Sequence, residues 1–397
     1  MATIRKREGR HGPSYQIRAS CGYDIHGKQV VKSMTWRPPA GMTLKQMEKE
    51  AHRQAVLFDE RCAAGATGDG GMKFEAFSAL WFKEYAEPTL KVRTVDRLHQ
   101  YEARVYAAIG HIRLDKLTTR HIQDFINSLG AEGVNETTGG ALSPKTIRNY
   151  ISFVSSVLDY AVKMGAIRDN PCSRVTLPPL DHKEKEVYTL EEAQRFLDSL
   201  EQAPLEYQAF FTLAIFGGFR RGELLGLEWP DIDFDSQTVS IRRTSLYTKE
   251  RGIFTDTTKT RGSQRTLKLP ASVFTVLRRY RAEQAQQRLL MGDRWTAGDR
   301  LFTNADGGLM HPNTPYGWLK DFCDRTGRRF LGIHAFRHLN ASLLIEGGAD
   351  VRTVAALLGH SQASTTMNIY AHSLEEAQAR AGAAVGELLG KRKAAAK

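Results

Sequence analysis

The reactive potential of this sequence lies in its last half, in one arginine, one histidine–arginine–histidine cluster and one late tyrosine. In Gly217-Gly218-Phe219-Arg220-Arg221-Gly222-Glu223-Leu224-Leu225, two glycines permit close backbone approach. Arg220 stands there at the mouth of a helix whose leucines face inward, where an arginine fork suits an oxyanion or a phosphate. In His334-Ala335-Phe336-Arg337-His338 the three polar side chains fall at i, i+3 and i+4 of a helix and share a face. This is not a zinc motif, because no glutamate follows the first histidine and the arginine repels a cation. Two donors and a fixed positive charge serve an anion better. Leu357-Leu358-Gly359-His360-Ser361 comes next, and Tyr370 lies ten residues beyond His360. Taken singly, Arg220 reads as a surface arginine and Tyr370 as a packing residue of an amphipathic helix. The set together carries more weight than its members.

The elements that must position these residues divide into three stretches. Residues 1–66 open with eight Lys/Arg against two acids in the first forty positions. Tyr15, Ile17 and Ala19 alternate with polar neighbours as in a half-buried strand, and a turn at residues 24–28 leads into the β-prone run Gln29 to Trp36. Thr43 with Gln46 forms a capping-box pattern before an apolar stripe of Leu44, Met47, Ala51, Ala55, Phe58 and Cys62. A glycine-rich linker over residues 65–71 separates this module from a helical stretch, 72–176. There, Pro88 is read as the break between two helices, Thr118 opens a third, and Ser143-Pro144 starts a long fourth. A proline-broken, charged linker near residues 177–186 precedes the last stretch, 184–390, opened by a Thr189/Glu192 capping box. Its strands lie between Thr238 and Leu269. A helix at about Leu374–Leu389 has one small-residue and leucine stripe, suited to a neighbouring subunit or to its own domain.

Bulk properties narrow the partners. The chain has 397 residues, 56 Lys+Arg against 44 Asp+Glu and a net charge of +12, which suits a polyanion as well as it suits solubility. Its four cysteines form no C-x-x-C pair, so neither a zinc site nor a disulfide framework is expected. The N-terminus has no apolar leader core and no stretch has the length of a membrane span, which points to the cytoplasm.

In order, G-x-x-R-x-x-E-L at Arg220, H-x-x-R-H at His334–His338, L-G-H-S at His360 and the tyrosine ten residues on resemble the tyrosine recombinase (phage integrase) family. Lys259, in Thr257-Thr258-Lys259-Thr260-Arg261, resembles that family's lysine on a turn between two strands. The match is strong over 184–390 and weaker over the helical stretch, and the basic start resembles the arm-site domain of integrases of temperate phages and conjugative transposons. Phe336 stands where leucine is usual, and Leu339-Asn340 replaces small hydroxyl residues. The resemblance implies a mainly α fold with small β-sheets (α+β): an arm-site DNA-binding domain at 1–66 with a three-stranded sheet and a helix, a helical core-site-binding domain at 72–176 and a mixed α/β catalytic domain at 184–390.

It also implies an integrase that cuts and rejoins DNA through a 3′-phosphotyrosine, with no cofactor and no metal. Arg220, Lys259, His334, Arg337, His360 and Tyr370 would be catalytic. Arg5, Lys6, Arg7, Arg10, Arg18, Lys145 and Arg148 are the DNA-binding candidates. Expected partners are double-stranded DNA at core and arm sites, three further copies of the chain on that DNA, an excisionase and a host DNA-bending protein; the chain would act at the nucleoid. A type IB topoisomerase-like enzyme and a non-catalytic DNA-binding regulator are the competing readings.

Overall fold

The computed structural model describes residues 2–9, 12–23, 28–63, 71–180, 186–257, 264–296 and 298–359. Arg10, Lys259, His360, Tyr370 and the helix expected at 374–389 lie outside them. Contacts divide the chain into two units, Met1–Lys183 and Glu184–Lys397.

The first unit begins with an antiparallel meander of β1 (Thr3–Gly9), β2 (Gly12–Tyr23) and β3 (Gln29–Trp36), in that spatial order. Strand alternation gives the sheet two chemically different faces. Tyr15, Ile17 and Ala19 are buried on one, and α1 (Leu44–Ala63) covers it with Ala51, Ala55 and Cys62. The Thr43/Gln46 capping box forms as read, with each side chain bonding the other's backbone N–H. Leu44 departs from the apolar stripe: at the first helical position it is 63% exposed. On the open face, Arg5 stands opposite Gln16, Arg7 opposite Ser14, and Arg18 between Thr3 and Ser33. Lys6 points the other way, opposite Tyr15, and pairs with Glu8 at 3.0 Å.

The helical part follows. α2 (Phe74–Trp81) widens into a π-turn at Phe82–Ala86 and closes in the one-turn α3 (Glu87–Thr89). Pro88 therefore does not separate two helices. It sits in the first positions of α3, and the chain breaks only at Leu90 (φ −94°, ψ 154°). α4 (Val92–Val105), α5 (Thr119–Leu129) and α6 (Pro144–Lys163) complete the bundle, with Thr118 and Ser143 as N-caps. Trp81, Phe82 and Phe153 meet in its core at ring separations of 5.0–6.0 Å.

Among its described residues the second unit holds α7 (Leu190–Leu200), α8 (Leu205–Gly217), α9 (Arg221–Gly226), five short strands and four further helices. β4 (Ile232–Asp233), β5 (Thr238–Ile241) and β8 (Arg265–Lys268) form one antiparallel sheet. β6 (Arg243–Thr248) and β7 (Gly252–Thr257) form a hairpin. α10 (Ala271–Met291), α11 (Thr314–Thr326), α12 (His334–Glu346) and α13 (Val351–Leu358) follow. α8 is buried on nearly every side, as its continuous apolar run demands. α9 lies flush on β6 because Gly222 and Gly226 leave no room for more: added Cβ atoms would come within 2.5 Å of Thr244 Oγ1 and 2.7 Å of the Arg243 carbonyl.

Candidate active site

The residues singled out around Arg220 and Arg337 converge on the last turn of α13. α8 ends at Gly217, and Gly218 turns the chain in the left-handed conformation (φ 57°, ψ 30°). The close approach that the two glycines permit is to the protein itself: a Cβ on Gly217 would overlap the Phe219 ring, and one on Gly218 would lie 2.7 Å from Asn340 Oδ1. Phe219 is buried, which anchors the loop one residue before Arg220. Arg220 is the N-cap of α9, and its backbone N–H donates to Glu223 Oε2 at 3.0 Å.

Arg337 reaches the same place from α12. It is 2% exposed, and its Nη1 and Nη2 donate to the carbonyls of Gly218 (2.8 Å) and Leu358 (2.5 Å). Its neighbour Phe336 points oppositely, into a cluster with Tyr188 (5.2 Å), Phe196 (5.0 Å) and Phe211 (5.9 Å). Phenylalanine thus fills a core wide enough for it. Asn340, one turn further, donates to the carbonyls of Ile215 and Phe216, both at 3.0 Å, and closes the C-terminal end of α8.

α13 ends with Gly359 in the left-handed conformation, whose N–H serves the Ala355 and Ala356 carbonyls. The next three carbonyls each receive an arginine from a different element: Leu357 from Arg265 Nε (2.6 Å), Leu358 from Arg337 Nη2 (2.5 Å) and Gly359 from Arg220 Nη2 (2.9 Å). A helix C-terminus carries partial negative charge and carbonyls lacking intrahelical donors, so three guanidinium groups are stable beside it. Between them stands Glu223, with Oε1 2.7 Å from Arg220 Nη1 and Oε2 2.9 Å from Arg265 Nη2. Burial alone would push its carboxyl up; the Arg265 bond and charge, then those of Arg220, hold it below the usual glutamate range.

Of the two candidate clamps, Arg220 is the accessible one, its side chain 39% exposed. His334, at the start of α12, is exposed, and its ring packs edge-on against buried His338 at 4.8 Å. Arg221 turns away and donates to Asn313 Oδ1 at 3.1 Å. The structure brings together Arg220 and Arg337, with His334 on Arg337's helix. Of the DNA-binding candidates, Arg5, Arg7 and Arg18 share one sheet face and Lys145 is exposed on α6. Arg148 is half-buried and donates twice to the Pro178 carbonyl, at 3.2 and 3.0 Å. Sequence reasoning overlooked Arg265 and Asn340 as parts of this site. Among the described residues no cluster of His, Cys, Asp or Glu has the makings of a metal site, and no helix is long and apolar enough to cross a membrane.

Residues 186–377 match the phage integrase family, and residues 73–130 match the N-terminal SAM-like domain of phage integrases. A tyrosine recombinase XerC-like protein of Caldanaerobacter subterraneus subsp. tengcongensis is 30% identical over 294 residues, covering 70% of this chain and 73% of that protein. The chain belongs to the tyrosine recombinase (phage integrase) family. This recombinase is also similar along most of its length to the ICEBs1 integrase of Bacillus subtilis (strain 168), 26% identical over 90% of this chain and 93% of that one. Its fold is that of the Tn1549 transposon integrase solved in complex with transposon right end DNA. The two share a TM-score of 0.64 at 19% identity, over 78% of this chain and all of that one. The mainly helical architecture with small antiparallel sheets is the recombinase fold expected from the sequence, and the enzyme is a site-specific integrase.

Proposed function

We propose that this integrase joins a mobile DNA element to its target, and releases it, with Tyr370 as nucleophile. The observation that carries the reading is the convergence of Arg220 and Arg337 on the end of α13, the residue before His360 and eleven before Tyr370. Two guanidinium groups held this way can grip the non-bridging oxygens of a phosphodiester, whose charge grows as it is attacked. Tyr370 Oη bonds to phosphorus and the 5′-oxygen leaves, protonated by Lys259. The product is a 3′-phosphotyrosine that conserves the bond energy. A 5′-hydroxyl from the other duplex then attacks that phosphorus and releases Tyr370. His334 and His360 add hydrogen bonds and assist proton transfer near neutral pH. No high-energy cofactor is consumed.

Recombining two duplexes requires four strand cleavages, so one tyrosine per subunit calls for four copies on the DNA. Residues 1–66 are assigned to arm sites, 72–176 to the core site and 184–390 to catalysis, and the protein works on the nucleoid with an excisionase and a DNA-bending protein. The basic sheet face supports the arm assignment. Arg5, Arg7 and Arg18 stand among Gln16, Ser14 and Ser33 on an exposed surface, a composition suited to phosphates and base edges. Replacing all three arginines by alanine should weaken arm-DNA binding by about 10–100-fold and flatten its salt dependence by about two to three in slope. Gel shifts over a salt series check this; an unchanged slope would place the arm contacts elsewhere.

The central test uses nicked duplexes made from the ends of the element that carries the gene. A protein–DNA adduct that survives SDS, and is absent for Tyr370→Phe, is expected. Binding with no adduct would refute the catalytic reading, and relaxation of supercoils without exchange of flanking DNA would mark a topoisomerase.

A further inference from the structure

We propose that Arg265 is a positioning residue for strand cleavage, setting Arg220 through Glu223 and the approach to His360 through the Leu357 carbonyl. The proposal rests on the functional reading above and concerns how that same site is held in shape. Arg265 lies on β8 with its side chain 7% exposed and bonds both Glu223 and the Leu357 carbonyl, so its role is to position those groups and it is not assigned to the phosphate. Its guanidinium is used inward. Nη2 and Nη1 meet the two Glu223 oxygens at 2.9 and 3.3 Å, and Nε meets the Leu357 carbonyl at 2.6 Å.

Glu223 is 4% exposed at its side chain and grips Arg220 twice, through backbone N–H and Nη1. A buried carboxylate keeps its charge and its rotamer only while its oxygens are paired. With Arg265 on the far side of both oxygens, the carboxylate can present a fixed edge to Arg220. The same arginine stands six residues after Lys259 and bonds the carbonyl three residues before His360. It therefore ties three segments that lead into catalytic candidates, and only a planar fork spans them: a lysine ammonium reaches the carboxylate or the carbonyl, not both.

The experiment compares full-length wild type, Arg265→Lys, Arg265→Gln, Glu223→Gln and the Arg265→Gln/Glu223→Gln double variant on the nicked duplex. Core-DNA affinity, melting temperature and single-turnover adduct rate are measured for each. Arg265→Lys should bind DNA within about threefold of wild type yet form adduct about 10–100-fold more slowly, the loss expected for a reacting group misplaced by around an ångström. The losses in the double variant should be less than additive, because Arg265 sets Arg220 through the Glu223 carboxylate that the second substitution removes. Arg265→Lys cleaving at the wild-type rate, or losing rate only in proportion to its folded fraction or its DNA affinity, would overturn the proposal. So would additive losses in the double variant. If Arg265→Gln does not fold, the lysine variant decides alone. A wild-type protein that binds DNA and forms no adduct would instead refute the functional reading, which keeps the two failures apart.

Discussion

Arg337→Met should lose both the fold of the second unit and strand cleavage, whereas Arg220→Met should lose cleavage and keep most of the stability. The contrast follows from burial. Arg337 is 2% exposed and its two Nη groups hold the carbonyls of Gly218, just past α8, and Leu358, the last residue of α13. Methionine restores the apolar stem but no donor, and each buried carbonyl left without a partner costs about 1–3 kcal/mol. A loss near 3–5 kcal/mol is therefore expected, a large share of a domain's net stability. Arg220 has a 39% exposed side chain whose partners are the Gly359 carbonyl and Glu223; Arg265 still pairs both Glu223 oxygens, and water can replace much of what methionine removes. In cleavage the two should converge, each losing at least about 10²–10³-fold for want of a charge-stabilising donor. Urea titration and the adduct assay measured on the same samples check both halves. Equal stability of the two variants would show that Arg337 is not the structural tie described.

Gly218→Ala should cost the second unit a large share of its stability for one added methyl group. The left-handed backbone costs a non-glycine residue about 1–2 kcal/mol by itself. The new Cβ would also stand 2.7 Å from Asn340 Oδ1 and 2.9 Å from Leu358 Cδ2. Asn340 cannot swing away freely, since its amide holds the Ile215 and Phe216 carbonyls. Displacing it unpairs both, and the combined loss should be about 3–5 kcal/mol. Gly332 gives the comparison: its φ is 81° and nothing lies within 4 Å of an added Cβ, so Gly332→Ala should cost only the backbone strain. In the double variant Gly218→Ala/Asn340→Ala the losses should be less than additive, because the clash has been removed. Denaturation midpoints of wild type, Gly218→Ala, Asn340→Ala, their double variant and Gly332→Ala test this, and equal losses at Gly218 and Gly332 would refute the steric account.

What could be read from the sequence was of two kinds. Local grammar was legible: the caps at Thr43, Thr118, Ser143 and Thr189 all form, because a capping bond joins residues three apart and needs no tertiary help. So was the alternation of Tyr15, Ile17 and Ala19, which the sheet turns into a buried face and leaves Arg5, Arg7 and Arg18 on the other. Motif order was legible too, because Arg220, the His334–His338 cluster and His360 carry distinctive residues at fixed spacing. Pro88 was misread because a π-turn just before it shifts the hydrogen-bond register, and no rule of proline placement anticipates that.

The tertiary structure alone decided how the site is held. Helical spacing alone puts Arg337 on one face with His334; its burial depends on the ends of α8 and α13 leaving two carbonyls within its reach. Arg265 has no local signature, since a basic residue on a short strand is commonplace, and its partners lie 42 and 92 positions away. The sequence by itself determined the order of side chains whose chemistry suits a phosphate, as residue type and short-range spacing are written along the chain. Only the fold decided that three arginines from three elements would share the last carbonyls of one short helix. Those contacts are long-range, and their energy exists only after the elements have packed.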